Sequence, residues 1–192
     1  LRRFCRQAGI PTFKTLYVFY DESGLEDLGE QLVQALATEF VRIRWGDERA
    51  LCSRTHLLST LKAGIGRNQV GTFTCAEVAE VIVPDREGFA TIWKGNEVLI
   101  EAFPAKIPGI KEGSLPPTRI MVSASGEVSL GTCPAYDRIA RLDPTTDRWR
   151  LETVPPYTVR LSPSEAARIA EITRLLCEQF GEVRLEWYLS NG

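Results

Sequence analysis

A chain of 192 residues with 44% hydrophobic and 25% charged side chains suits one soluble domain of ordinary size, or two small lobes sharing a cleft. Its formal net charge of −2 argues against a nonspecific nucleic-acid binder, which needs uncompensated Lys and Arg against phosphates, while leaving room for local basic spots. Five scattered cysteines with no C-x-x-C pair, and a single histidine, argue against a zinc site or a disulfide framework and fit a reducing, cytoplasmic setting. That histidine, His56, is the one candidate base for a Ser-His-Asp or Cys-His arrangement, and a surface or capping role suits it better. No apolar run approaches the length of a membrane span, and no signal-peptide pattern stands at Leu1.

In chain order, Leu1, Phe4, Cys5 and Ala8 share one helical face, ended by Gly9 and turned by Pro11. Thr15 to Tyr20 predicts a strand. Leu25, Leu28, Leu32, Leu36 and Phe40 space as a second helical stripe, and Phe40 to Trp45 as a short strand with Arg42 and Arg44 on one face. Such a pair is more often a solvated face than a phosphate contact. Lys62 to Thr74, with Gly64, Gly66, Arg67 and Gly71, reads as a flexible loop whose backbone N–H groups suit phosphates, although its glycines do not follow G-x-G-x-x-G. Ala76 to Pro84 is the next strand and carries Glu77 and Glu80. Glu101, which alternates with apolar Ile100, is either a site residue or a salt-bridged strand glutamate.

Gly113 to Val128 reads as a Pro-rich turn, a strand alternating Ile120 and Val122, and a Ser-Gly turn into another strand. Ser162-Pro163-Ser164-Glu165 then combines a capping serine, a proline at the first helical position and a glutamate that completes a capping box. The stripe Ile169, Ile172, Leu176 and Phe180, with Ala166 and Leu175 alongside, describes the buried side of that helix, and Gly181 stops it. Val183 to Trp187 alternates as a strand, with Val183, Leu185 and Trp187 toward the core and Arg184 and Glu186 on the opposite face. A carboxylate is thereby presented from the middle of a strand. Read alone, the unit is also an ordinary amphipathic helix packed on a sheet, with Glu186 solvated.

This helix-Gly-strand unit with its Glu186-Trp187 pair resembles the end of the nucleotide-binding domain of phosphoenolpyruvate synthase and pyruvate phosphate dikinase. The resemblance extends through Gly113 to Val128, Val98 to Ala102, Gly88 to Thr91 and Ala76 to Pro84, and is thin before Ala76, where Ala8-Gly9-Ile10-Pro11 parallels an "AGIP" of the family. It implies an α+β, ATP-grasp-like fold of two small lobes with mainly antiparallel sheets flanked by helices, divided as 1–75 and 76–192, with the unit continuing past both ends. The family's G-G-K lysine lies ahead of the position of Leu1, and its L-Q-x-R strand after that of Gly192.

The resemblance assigns Glu186 to the metal of bound ATP and sets Glu101 to help hold the sugar or the metal. Glu80 stands where the family has a glutamine at the adenine pocket. The phosphate-binding arginine is open among Arg42, Arg44 and the Cys52-Ser53-Arg54-Thr55 stretch, since the family's paired serines are absent. The segment Ala105 to Glu112 replaces a "GLGE" and brings Lys106 and Lys111 beside the expected site. The implied cofactors are ATP and Mg2+, and the implied activity is Mg-ATP-dependent phosphoryl transfer, with a phosphoryl-acceptor domain or protein as a further partner. His56 is not in the setting of the family's phosphorylated histidine. The departures at the paired serines and at "GLGE" keep open an alternative, a degenerate ATP-grasp-like domain acting as a non-catalytic interaction module. Neither reading expects specific nucleic-acid binding or a membrane.

Overall fold

The computed structural model describes residues 2–107, 113–143 and 145–190. Within them the chain is α+β, with four α-helices and antiparallel strand pairings throughout the two larger sheets. It divides into two compact units, one of residues 1–83 with 142–148, the other of residues 84–141 with 149–192. The first unit runs eight residues past the expected division at 75, because the strand there is continuous across it.

In the first unit a short helix, α1 (Arg2–Gln7), precedes β1 (Thr15–Tyr20), α2 (Leu25–Ala35), β2 (Phe40–Trp45), β3 (Glu48–Ser53) and, after a 3-10 turn at Arg54–His56, α3 (Leu57–Ala63). Two strands close it, β4 (Gln69–Val70) and β5 (Phe73–Val81), and the sheet order is β1-β5-β2-β3 with β4 paired to β5. Alternation decides the faces. Leu16, Val18, Val41, Ile43, Ala76 and Val78 join Leu25, Leu32, Leu57 and Leu61 in one hydrophobic cluster, so the helices cover that side. Of the predicted glycine loop over 62–74, the two ends and residues 69–70 belong to α3, β5 and β4, and the rest is turn and bend. Gly64 packs on Trp45, where a Cβ would lie 2.3 Å from the indole, and the Gly66 N–H donates to Thr74 Oγ1 at 2.9 Å.

The second unit has β6 (Arg86–Ile92), β7 (Val98–Pro104), β8 (Thr118–Val122), β9 (Val128–Leu130), α4 (Pro163–Phe180) and β12 (Arg184–Leu189), in the order β12-β6-β7-β8-β9. The intervening β10 (Ala135–Asp143) and β11 (Arg148–Thr158) pair with each other, and residues 142–148 count with the first unit. α4 begins as the sequence predicts. The Ser162 side chain accepts the Glu165 N–H, and the Glu165 carboxylate accepts the Ser162 N–H at 2.7 Å. Ala166, Ile169, Ala170, Thr173 and Leu176 are its buried residues. Phe180, expected in that stripe, is exposed, because the buried line ends one turn earlier at Leu176. Beneath the helix lie Ala90, Ile100, Ala102, Ile120, Val122 and Trp187.

Candidate functional site

Of the six residues the sequence nominates, three lie in each unit. In the first, Arg42 and Arg44 stand on β2 on the side away from the helices, where Arg42 pairs with Glu77 at 3.4 Å and Arg44 Nε donates to the Gly46 carbonyl at 2.7 Å. Glu80 is opposite Val41 in the β5-β2 register and therefore faces the helix side. Its carboxylate accepts the N–H groups of Ala37 at 2.8 Å and Lys14 at 3.3 Å, tying the end of α2 to the approach to β1. The sheet thus holds Glu80 apart from both arginines.

The second unit places its three on one face of its sheet. Antiparallel register aligns Glu186 with Phe89, Phe89 with Glu101, and Glu101 with Arg119, and directly paired residues project to one side. That row crosses four strands on the face turned away from α4. One position along, Tyr188 pairs with Glu87. Just past β7, the backbone N–H and Nζ of Lys106 both donate to the Glu87 carboxylate, at 2.7 and 3.1 Å, and Nζ lies 4.5 Å from the centre of the Tyr188 ring. Lys106 has a φ of +59°, a conformation these contacts hold in place. Segment 108–112, which includes Lys111, lies outside the described residues, as do Leu1 and Gly192.

The carboxylates on this face are each engaged. Glu186 is exposed and accepts the Tyr188 hydroxyl at 2.6 Å, and Glu101 meets Arg119 Nε at 3.4 Å. The Arg184 guanidinium lies 3.9 Å from the centre of the Phe89 ring, which also meets Phe103 edge to face at 6.3 Å. Phe89, Thr91, Leu99, Glu101 and Arg184 line a shallow pocket there. Sequence reasoning placed Arg184 beside Glu186 but missed Glu87, Phe89 and Tyr188 as neighbours of the site. Their period-2 spacing on two strands was readable, whereas the register that aligns the strands was not.

A magnesium ion commonly takes one or two protein carboxylates and completes its shell with water and phosphate oxygens. Glu101 and Glu186 offer two carboxylates, each held by a partner of its own. They stand two strands apart, about 10 Å at the backbone, with Phe89 between them. Among the described residues no group of three or more His, Cys, Asp or Glu side chains converges as a ready-made metal cage.

His56 is engaged elsewhere. Its Nδ1 lies 2.8 Å from Asp147 Oδ2 and 3.2 Å from Ser53 Oγ, and the Ser53 N–H donates to Asp147 Oδ1 at 2.9 Å. In a nucleophilic triad the acid and the hydroxyl bind opposite ring nitrogens, so two partners on Nδ1 do not make one. Neighbouring Cys52 is buried, and burial, with the Asp147 charge adding to it and a Thr60 hydrogen bond opposing, pushes its thiol up to about 11. The fold and this geometry define an α+β protein with mainly antiparallel sheets. No protein-family model matches the chain, and no curated protein does so.

Proposed function

We propose that the chain is a nucleotide-binding domain of the ATP-grasp class, in which the face of the second unit's sheet away from α4 takes Mg-ATP for phosphoryl transfer. The observation that carries it is the aligned row Glu186, Phe89, Glu101 and Arg119, flanked by Arg184 and Lys106. Two carboxylates answer the need for metal ligands, the guanidinium and ammonium groups answer phosphate charge, and Phe89 offers an apolar ring. Bound magnesium would supply neutralisation of the phosphate charge. The protein's part is to orient the phosphates against Arg184 and Lys106 and to present Glu186 and Glu101 beside them.

Calorimetric titration with ATP and magnesium tests this. Binding that needs the metal, weakened at least about tenfold by Glu186→Gln and within about twofold of the wild type for Glu77→Gln, is the expected pattern. No heat and no thermal stabilisation, or equal effects of the two substitutions, would remove the site. A second reading has its own observation: Glu186, Glu101 and Lys106 already have partners in Tyr188, Arg119 and Glu87. It makes the domain a non-catalytic interaction module. Recovery of a stoichiometric protein partner together with an absence of ATP binding would favour it.

A further inference from the structure

The first unit carries a second surface that the nucleotide reading leaves unused. On the face of its sheet away from α2 and α3, Tyr17 is 63% exposed, Phe19 59% and Phe73 46%. Large aromatics this open on one sheet face need a reason, because burying them inside the protein would be favourable. Their placement follows from register. Tyr17 and Phe19 are two apart on β1, on one side and about 7 Å from each other along the strand. Phe19 pairs with Cys75, and Phe73 projects to the same side two residues earlier on β5.

The same register continues the face into cations. Tyr17 aligns with Glu77, Glu77 with Arg44, and Arg44 with Arg49, and Arg42 lies two residues before Arg44 on β2. Three guanidiniums therefore stand one or two strands beyond Glu77, which pairs with Arg42. Arg44 and Arg49 are left as excess positive charge. Both side chains are exposed.

We infer that this face of the first unit binds single-stranded nucleic acid, with unstacked bases laid on Tyr17, Phe19 and Phe73 and the phosphate backbone tracked by Arg44 and Arg49. Rings two residues apart on a strand take successive bases on their faces, and a sheet flanked by arginine favours a strand whose bases are free to splay over a duplex. The net charge of −2 gives no general attraction to phosphates, so binding rests on these few arginines and is salt-sensitive. The inference stands independently of the nucleotide site in the second unit.

Fluorescence anisotropy with a labelled oligouridylate of roughly 12 nucleotides tests it, alongside a duplex of similar length. Saturable binding to the single strand and weaker binding to the duplex are expected. Tyr17→Ala with Phe19→Ala should weaken it at least about tenfold. Arg44→Glu with Arg49→Glu should weaken it further and flatten the salt dependence by roughly 0.7 in log–log slope for each phosphate no longer neutralised. Glu77→Gln, by releasing Arg42, should tighten it, and Glu186→Gln should leave it unchanged. All of these side chains but Glu77 are exposed, and thermal melts of each variant report whether the fold is kept. No binding, equal binding of duplex, or indifference to the aromatic pair would overturn the inference. So would light scattering that shows a dimer abolished by the same two aromatic substitutions without any oligonucleotide binding, which would assign the face to a second copy of the chain.

Discussion

Glu165 joins two jobs that are usually separate. Its Oε2 receives the Ser162 N–H that completes the capping box, and the two carboxylate oxygens also receive the Arg86 guanidinium at 2.9 and 3.1 Å. Arg86 donates further to the Arg160 carbonyl, so β6 is fastened to the chain that enters α4. Burial alone would raise the Glu165 carboxyl, but the hydrogen bonds from Arg86 and Ser162, with the charge of Arg86, outweigh it and hold the group below its ordinary value. A carboxyl lowered by folding contributes stability that is fully present above its unfolded value and lost as pH falls through its folded one. Glu165→Ala should therefore cost about 2 kcal/mol at neutral pH, from a lost cap and a largely buried guanidinium without its carboxylate. Urea unfolding monitored by circular dichroism should show the gap between variant and wild type closing as the pH drops below the ordinary carboxylate range. A gap that stayed constant with pH would mean that the ionised carboxylate is not the source.

At the scale of elements, the second sheet depends on one residue without a side chain. Gly88 sits in β6 between β12 and β7, where an added Cβ would come within 1.9 Å of the Glu101 carbonyl oxygen and 2.6 Å of the Trp187 ring. The ring is a side chain, whereas the carbonyl belongs to the backbone of the neighbouring strand. Gly88→Ala should cost about 3 kcal/mol by overpacking, and Trp187→Phe in the same chain should recover only part of it. Thermal denaturation of the single and double variants checks this, and full recovery would place the whole conflict at the indole. The helix start at Ser162 was legible because its signal is local: the side chains of Ser162 and Glu165 each accept the other's backbone N–H. So were the strands over 15–20 and 40–45, whose alternation is complete within each segment. The partners of the predicted site residues were not. Glu80 meets Ala37 and Lys14, and Lys106 meets Glu87, only because sheet register or chain reversal brings distant segments together. The glycines over 62–74 carried a similar ambiguity, since a glycine kept for close packing against Trp45 reads the same as one kept for freedom.

At the scale of the whole chain, the first unit is discontinuous: residues 142–148 belong to it although the strands they connect extend into the second. Each unit has its own hydrophobic cluster, and the two clusters share no residue. Within the remote segment Leu142 is buried, and polar bonds add to that anchor. Asp147, at a φ of +53° that aspartate tolerates better than most residues, receives the Ser53 N–H and meets His56. Ser53 is buried, so removing its acceptor leaves a main-chain donor without its protein partner. Asp147→Ala should therefore destabilise the first unit by about 1–3 kcal/mol. Native-state hydrogen exchange offers the resolution to see where. Amides of β3 and α3 should lose protection while those of β6, β7 and β8 keep theirs, because the second cluster draws on none of the affected residues. Asp147→Asn, which retains an oxygen for the Ser53 N–H, should lie between the two. Loss of protection spread equally over both units would instead mean that the chain unfolds as one cooperative body, with two clusters that do not correspond to two units of stability.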